Sequence, residues 1–97
     1  MGKSIMPTEA NKCFICGRRG PTEYHHIFGA ANRKKSDKDG MTVWLCHNCH
    51  NEMPNGVHQN RAIRRQLQAV AQRRWMEFYK KSEDDFRAAY GRSYLEE

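Results

Sequence analysis

The feature that most constrains this chain is its set of four cysteines, which form two Cys-x-x-Cys pairs. The pairs are Cys13 with Cys16 and Cys46 with Cys49, and a tight turn across each pair can direct two thiolates at one ion. Zinc takes four thiolate or imidazole ligands in a tetrahedron. A redox pair would be expected beside a βαβ pattern, which this sequence lacks. The spacing therefore predicts one structural zinc held by all four cysteines.

The composition explains why such a chain would need a metal. It has 97 residues, of which 38% are hydrophobic and 29% charged, so we expect one domain with a small core. Metal binding can add on the order of 10 kcal/mol to folding. The first residues, MGKSIMPTEANK, contain no apolar stretch typical of an export signal, and no run is apolar enough to cross a membrane. We therefore expect a cytoplasmic protein with reduced thiols and no membrane contact.

The net charge of the chain indicates what kind of partner it could bind. The formal net charge is +6 and the pI is near 9.4. This balance favours an anionic partner, most often nucleic acid, although a basic surface that only confers solubility explains the charge equally well.

The insert between the cysteine pairs carries two strand candidates. Residues 23–28 and 41–45 are short runs rich in aromatic and β-branched side chains, which are typical of strands. The polar residues 29–40 between them are predicted to be a loop. Residues 1–11 are polar and aperiodic, so we expect a loose N-terminal arm.

The second half of the chain is predicted to be helical. A short helix begins near Asn48 and stops at Pro54-Asn55-Gly56, and a final helix over residues 83–90 follows an N-cap at Ser82. Between them, residues 60–80 form a long amphipathic helix. Its apolar positions, whose aromatic members we expect in the core, are Ile63, Leu67, Val70, Ala71, Trp75, Phe78 and Tyr79. The fold class is thus α+β: a zinc-stabilised core over residues 12–58 and a helical extension over residues 59–97.

All five histidines precede the long helix: His25, His26, His47, His50 and His58. If Cys49 binds zinc from a helix, the next residue points about 100° away around the axis and can face a second site. Neighbours on a strand point to opposite faces, so the histidine doublet can converge on that site only where the strand twists or ends. Ordinary surface or core histidines are the alternative interpretation.

A strand ending in a histidine doublet, a loop, a strand entering Leu-Cys-x-x-Cys-His, and a helix together resemble the HNH, or ββα-metal, endonuclease family. The resemblance covers residues 13–58. The string His-His-Ile-Phe-Gly-Ala-Ala-Asn-Arg-Lys, with Gly-Val-His downstream and a helical tail, also resembles small HNH proteins of phages and prophages. It implies a treble-clef-like hairpin plus helix that cleaves DNA with a divalent metal, leaving a 5′-phosphate and a 3′-hydroxyl. For a phage-encoded protein, the cytoplasm is that of the bacterial host.

The resemblance also assigns roles to individual histidines. It implies that His25 and His50 bind the catalytic ion, which would be Mg²⁺, Mn²⁺, Ni²⁺ or Zn²⁺, and that His26 is the general base. A further ligand often lies one turn along the family's helix. Pro54 stands there in this chain, so His58 is the candidate for that role.

One departure from the family concerns its middle asparagine, which orients the general base. Met41 occupies that position here, so either Asn32 or Asp39 would have to replace it. Asn32 is favoured because it lies in the family-like string. If neither does, the chain is an inactive zinc-stabilised module for DNA binding or assembly.

The segment between the strands is strongly basic. We expect this segment to bind DNA phosphates independently of base sequence through Arg33, Lys34 and Lys35, although a solvated charged loop is the alternative.

The resemblance also concerns partners. Double-strand cleavage by one active centre would require a homodimer or two successive cuts, and a phage DNA-processing protein is a further expected partner.

Overall fold

In the computed structural model, which describes residues 4–95, an antiparallel pair of strands forms the only sheet of the described chain. The strands are Glu23–His26 (β1) and Thr42–Leu45 (β2), and their register pairs His25 with Val43. Val43 and Leu45 are completely buried, so β2 lies in the core. The two predicted strands are confirmed within the predicted ranges, and the α+β class with them.

The predicted loop over residues 29–40 is wrong, because this segment is helical. A single 3₁₀ turn, Ala30–Asn32, leads into helix α1, Arg33–Asp39. The hydroxyl of Ser36, which is fully buried, accepts a hydrogen bond from the amide of Phe28 and donates one to the carbonyl of Met41. Gly40 then ends the helix at a φ of 81°, a conformation that favours glycine. Tertiary contacts of polar side chains such as Ser36, rather than an apolar stripe, hold this helix in place.

The expected loose arm is packed from residue 4 onward. Ile5 and Met6 are buried, and the amide of Ile5 donates to the carbonyl of Gly40 at 2.8 Å. Further along, the hydroxyl oxygen of Thr8 accepts from the amide of Trp44 at 3.1 Å. These residues satisfy the backbone of β2 on the side away from β1, which explains why a polar segment is ordered there.

Three further helices follow β2. They are α2 (His47–Asn51), α3 (Arg61–Tyr79) and α4 (Glu83–Tyr90), and they confirm the helical second half. The side chain of Asn60 caps α3, and Ser82 caps α4 in a capping box. No helix within residues 4–95 combines the length and the apolar character that a membrane span requires.

An aromatic cluster joins the helices to the sheet. The ring of Phe28, two residues after the end of β1, contacts the rings of Phe86 and Tyr90 on α4. Trp75 packs against Phe86 and is buried, as predicted. The core predictions for Phe78 and Tyr79 are wrong, because these residues are 50% and 37% exposed, and Val70 is also exposed. The short helix α4 covers only part of the apolar face of α3.

Candidate metal centres and the adjoining cleft

The four cysteine thiols form one cluster. Their sulfur atoms all lie within 4.8 Å of one another, and the Sγ atoms of Cys16 and Cys46 are 3.8 Å apart. Four sulfurs placed tetrahedrally at about 2.3 Å from a zinc ion are separated by about 3.8 Å. The arrangement confirms that the two Cys-x-x-Cys pairs converge, and the cluster can hold a structural metal such as zinc.

Local backbone geometry directs these thiols toward each other. The amide of Cys13 donates to the carbonyl of Arg18, and the amide of Gly17 donates back to Cys13, each at 2.9 Å. The turn is tight because Gly17 adopts a φ of 77°. On the other side, Cys46 directly follows β2 and is the N-cap of α2, which carries Cys49.

The thiols differ in acidity. Burial alone would raise the pKa of Cys13, but backbone hydrogen bonds around Cys16 and Cys46 outweigh it and lower the pKa of Cys13 to about 6. Burial, together with the neighbouring thiols, raises the pKa of Cys49. Of these two thiols, Cys13 therefore more readily becomes the thiolate that metal binding requires.

A second cluster consists of His25, His50 and His58. One ring nitrogen from each lies within 4.8 Å of the others, and the Nε2 atoms of His50 and His58 are 3.1 Å apart. Three nitrogens bound to one ion at about 2.0–2.1 Å are separated by about 3.0–3.4 Å. The predicted candidate ligands thus come together from β1, from α2 and from the segment after α2. We call these three side chains the histidine tripod.

The environment of His25 indicates whether the tripod is suited to a metal ion. The residue is only 4% exposed, and its Nε2 atom is the one buried side-chain nitrogen or oxygen of the described residues that has no hydrogen-bond partner. Burial, and then the charges of His50 and His58, lower the pKa of His25 to about 3. A neutral imidazole with a free buried nitrogen is the state in which histidine binds a metal ion, so the donor set fits.

The third histidine reaches the tripod because the chain turns back after α2. The amide of His58 donates to the carbonyl of His50 at 3.2 Å. The turn passes through Gly56, where a Cβ atom would lie 2.7 Å from both the backbone nitrogen and oxygen of Glu52. Only glycine fits this close approach, and the Pro-Asn-Gly break is thus what positions His58.

A carboxylate, Glu23, lies behind the tripod. Its Oε1 atom is 2.7 Å from Nδ1 of His50, and its Oε2 atom is 3.0 Å from Nδ1 of His47. The hydrogen bonds from His50 and then from His47 lower the pKa of Glu23. Glu23 is not among the residues predicted from the sequence, although its place two residues before His25 on the same face of β1 was a signal.

The two histidines of the doublet have separate partners, as adjacent residues on a strand should. Nε2 of His26 lies 3.2 Å from Oδ1 of Asp37 on α1, and the ring of Tyr24 packs edge-on against the His26 ring. His26 nevertheless lines the same open cleft of about 350 Å³ as the tripod. Asp37 was not predicted as a site residue, because its segment was predicted to be a loop.

Neither residue expected to replace the family asparagine contacts His26. The side-chain amide of Asn32 donates to the carbonyl of Tyr90 at 3.1 Å. One carboxylate oxygen of Asp39 accepts from the indole of Trp75 at 3.1 Å and from the hydroxyl of Tyr90 at 2.7 Å. Both residues therefore join α1 to the helical extension, and neither has a hydrogen bond to His26 in the structure; an orienting role for Asn32 stays a prediction. Met41 is completely buried.

The basic residues of α1 also differ in what they contact. Arg33 lines the cleft together with the histidines, and Arg33 and Lys34 line the adjoining groove beside His26 and Asp37. The Lys35 ammonium instead donates to the carbonyl of Ala89 and lies over the Tyr90 ring. Lys35 therefore fastens α1 to α4, in contrast to its predicted contact with DNA.

No family model, curated protein or solved structure matches this chain.

Proposed function

We propose that the protein is a metal-dependent endonuclease or nickase of the HNH type that hydrolyses phosphodiester bonds in DNA. The observation that carries this proposal is the shared cleft, in which the histidine tripod and the carboxylate-bound His26 face the same space. A site built only for structural metal binding would have no use for an additional histidine held by a carboxylate beside it.

The tripod His25, His50 and His58 would hold the divalent ion. When bound, such an ion supplies positive charge that stabilises the developing charge on a phosphate and its leaving oxygen. The neutral state of His25 and its unpartnered Nε2 atom support this role.

His26 would act as the general base. A carboxylate only accepts hydrogen bonds, so Asp37 fixes the hydrogen on Nε2 and leaves Nδ1 of His26 free to take a proton from water. Asp37 thereby performs the orienting role that the family assigns to an asparagine. Arg33 and Lys34, on the rim, would bind the phosphates on either side of the cleaved bond. The products would carry a 5′-phosphate and a 3′-hydroxyl.

A second candidate function is a zinc-stabilised DNA-binding or assembly module without catalysis. The buried Met41, in the position of the family asparagine, is the observation that favours it. This alternative gives no role to the pairing of His26 with Asp37.

Nicking of a supercoiled plasmid in Mg²⁺, Mn²⁺ or Ni²⁺, with and without EDTA, tests the proposal. We expect His26→Ala to lower the rate by about 10²–10⁴-fold while zinc content and DNA affinity remain, because a general base contributes little to ground-state binding. His25→Ala and His50→Ala should recover part of their activity at high metal concentration, and His26→Ala should not.

Asp37 provides a finer comparison within the same assay. Asp37→Ala should lower the rate less than His26→Ala does, since the base is present but poorly oriented. Asp84→Ala, which removes the same charge from an exposed position, is the matched control and should nick like wild type. Wild-type protein that binds DNA but nicks it with none of these ions would contradict the proposal and favour the module.

A further inference from the structure

Glu23 receives hydrogen bonds from three side chains of one short helix. Oε1 accepts from Nδ1 of His50 at 2.7 Å and from the side-chain amide of Asn51 at 3.2 Å, and Oε2 accepts from Nδ1 of His47 at 3.0 Å. In the sheet, Glu23 pairs with Leu45, the residue directly before Cys46. The carboxylate is therefore held at the junction between β1 and the start of α2, directly behind the histidine tripod.

The carboxylate determines which nitrogen of His50 carries a hydrogen. Since a carboxylate can only accept, Nδ1 of His50 must be the protonated nitrogen, and Nε2 keeps its lone pair. Nε2 is the atom that faces the tripod, 3.1 Å from Nε2 of His58. Metal-binding histidines commonly donate their other N–H group to a carboxylate, which fixes the ring and makes it a better ligand.

We infer that Glu23 is a positioning residue for the tripod, which holds His50 in its metal-binding tautomer and orientation, and that His47 holds Glu23 in turn. The inference rests on the proposed function, because it assumes that the tripod binds a divalent ion.

His47 is the part of this arrangement with no other evident role. Its ring bridges two carboxylates, with Nδ1 3.0 Å from Glu23 and Nε2 2.9 Å from Oε2 of Glu52. The Glu23 side chain is 41% exposed, so hydrogen bonds from one side alone would leave its carboxylate free to rotate. His47 binds one oxygen of the carboxylate and Asn51 binds the other. An exposed histidine between the second pair of cysteines thus acts on the tripod through Glu23.

The test compares Glu23→Ala and Glu23→Gln with Glu52→Gln in zinc-loaded protein. Titration calorimetry with Ni²⁺ or Mn²⁺ reports the affinity of the tripod. We expect Glu23→Ala to weaken it by about 10–100-fold, as is usual when the hydrogen-bond partner of a metal ligand is removed. The metal affinity of Glu23→Gln should lie between those of Glu23→Ala and wild type. This variant also replaces Glu23→Ala in the comparison if the alanine variant folds poorly. Glu52→Gln changes a carboxylate that contacts His47 but not His50, so its affinity should stay close to that of wild type.

Nitrogen NMR of the His50 ring provides a readout that does not depend on activity or on the added ion. In wild type the ring should be protonated at Nδ1, and in Glu23→Ala it should be a mixture of both tautomers. Unchanged affinity and an unchanged tautomer in Glu23→Ala would overturn the inference. An equal loss of affinity in Glu52→Gln would also overturn it, because net charge rather than position would then be responsible.

The results separate this inference from the proposed nuclease function. One possible result is that Glu23→Ala loses metal affinity and its single His50 tautomer while the wild-type protein does not nick DNA. This result supports the positioning role and contradicts the nuclease function. Wild-type nicking together with full metal affinity in Glu23→Ala retains the nuclease and overturns the positioning role.

Discussion

The burial of His25 has a consequence for stability in acid. Its pKa is lowered from 6.5 to about 3, so the unfolded chain binds a proton between these values and the folded chain does not. Stability falls with decreasing pH wherever the unfolded state binds more protons. The contribution of a neutral His25 is therefore complete above pH 6.5 and decreases as the pH falls toward 3.

The variant His25→Gln isolates this effect. Between pH 7 and pH 5 the free energy of unfolding of wild type should fall by about 2 kcal/mol more than that of His25→Gln, both zinc-loaded and without a second ion. Protonation of the cysteine ligands affects both proteins alike and cancels in the difference. Urea unfolding at each pH provides the measurement. Parallel curves would mean that His25 accepts a proton in the folded state.

At the scale of elements, the sequence predicts most directly the helices and strands that have an apolar pattern. Strand β2 and helix α3 both bury apolar side chains at regular intervals, and both appear within the predicted ranges. Helix α1 has the sequence Arg-Lys-Lys-Ser-Asp-Lys-Asp, in which Ser36 is the single buried residue. Periodicity could not reveal it, because the two hydrogen bonds of Ser36 form only once Phe28 and Met41 are in place.

Dependence on tertiary contacts also distinguishes the site residues that could not be predicted from those that could. Cysteine spacing and the histidine doublet identify candidate ligands directly, since metal-binding chemistry depends on residue type. Asp37 and Glu23 are acidic residues without a motif. Their proximity to His26 and His50 depends on α1 and on the strand register, so it follows only from the assembled fold.

Helix α1 leads to a prediction about DNA binding. Replacing Arg33 and Lys34 together by glutamine should reduce the slope of log affinity against log salt by about 2, since each phosphate contact contributes about 0.9. Lys35→Gln is the matched control on the same helix. Its ammonium is engaged with α4, so the slope should stay unchanged while the melting temperature falls. Equal slopes in wild type and the double variant would show that α1 is only a solvated surface.

At the scale of the whole molecule, the cysteine cluster connects two segments that are distant in the sequence. Cys13 is buried in the core near the N-terminal segment, and Cys46 lies at the junction of β2 with α2. An ion bound to both closes the long insert that carries the histidine doublet and α1. In a small polar domain, this closure is expected to supply much of the stability.

Cys46→Ser should therefore abolish the cooperative melting transition or cause aggregation. Native mass spectrometry should find one zinc ion per wild-type chain when the second site is empty. His58→Ala, which removes a tripod ligand at the surface, is the control and should keep both the zinc ion and the melting temperature. A Cys46→Ser protein that melts like wild type would refute a structural role for zinc.

The path of β2 from the sheet into Cys46 has a further consequence, which concerns the order of assembly. His25 depends on β1, β1 depends on its register with β2, and β2 ends in a ligand of the cysteine cluster. We therefore expect the tripod to form after the cysteine cluster has captured its ion, and an ion in the tripod to exchange while the fold persists. The ion in the cysteine cluster would stay bound for the lifetime of the protein. The divalent ions available around the protein would determine which ion occupies the tripod.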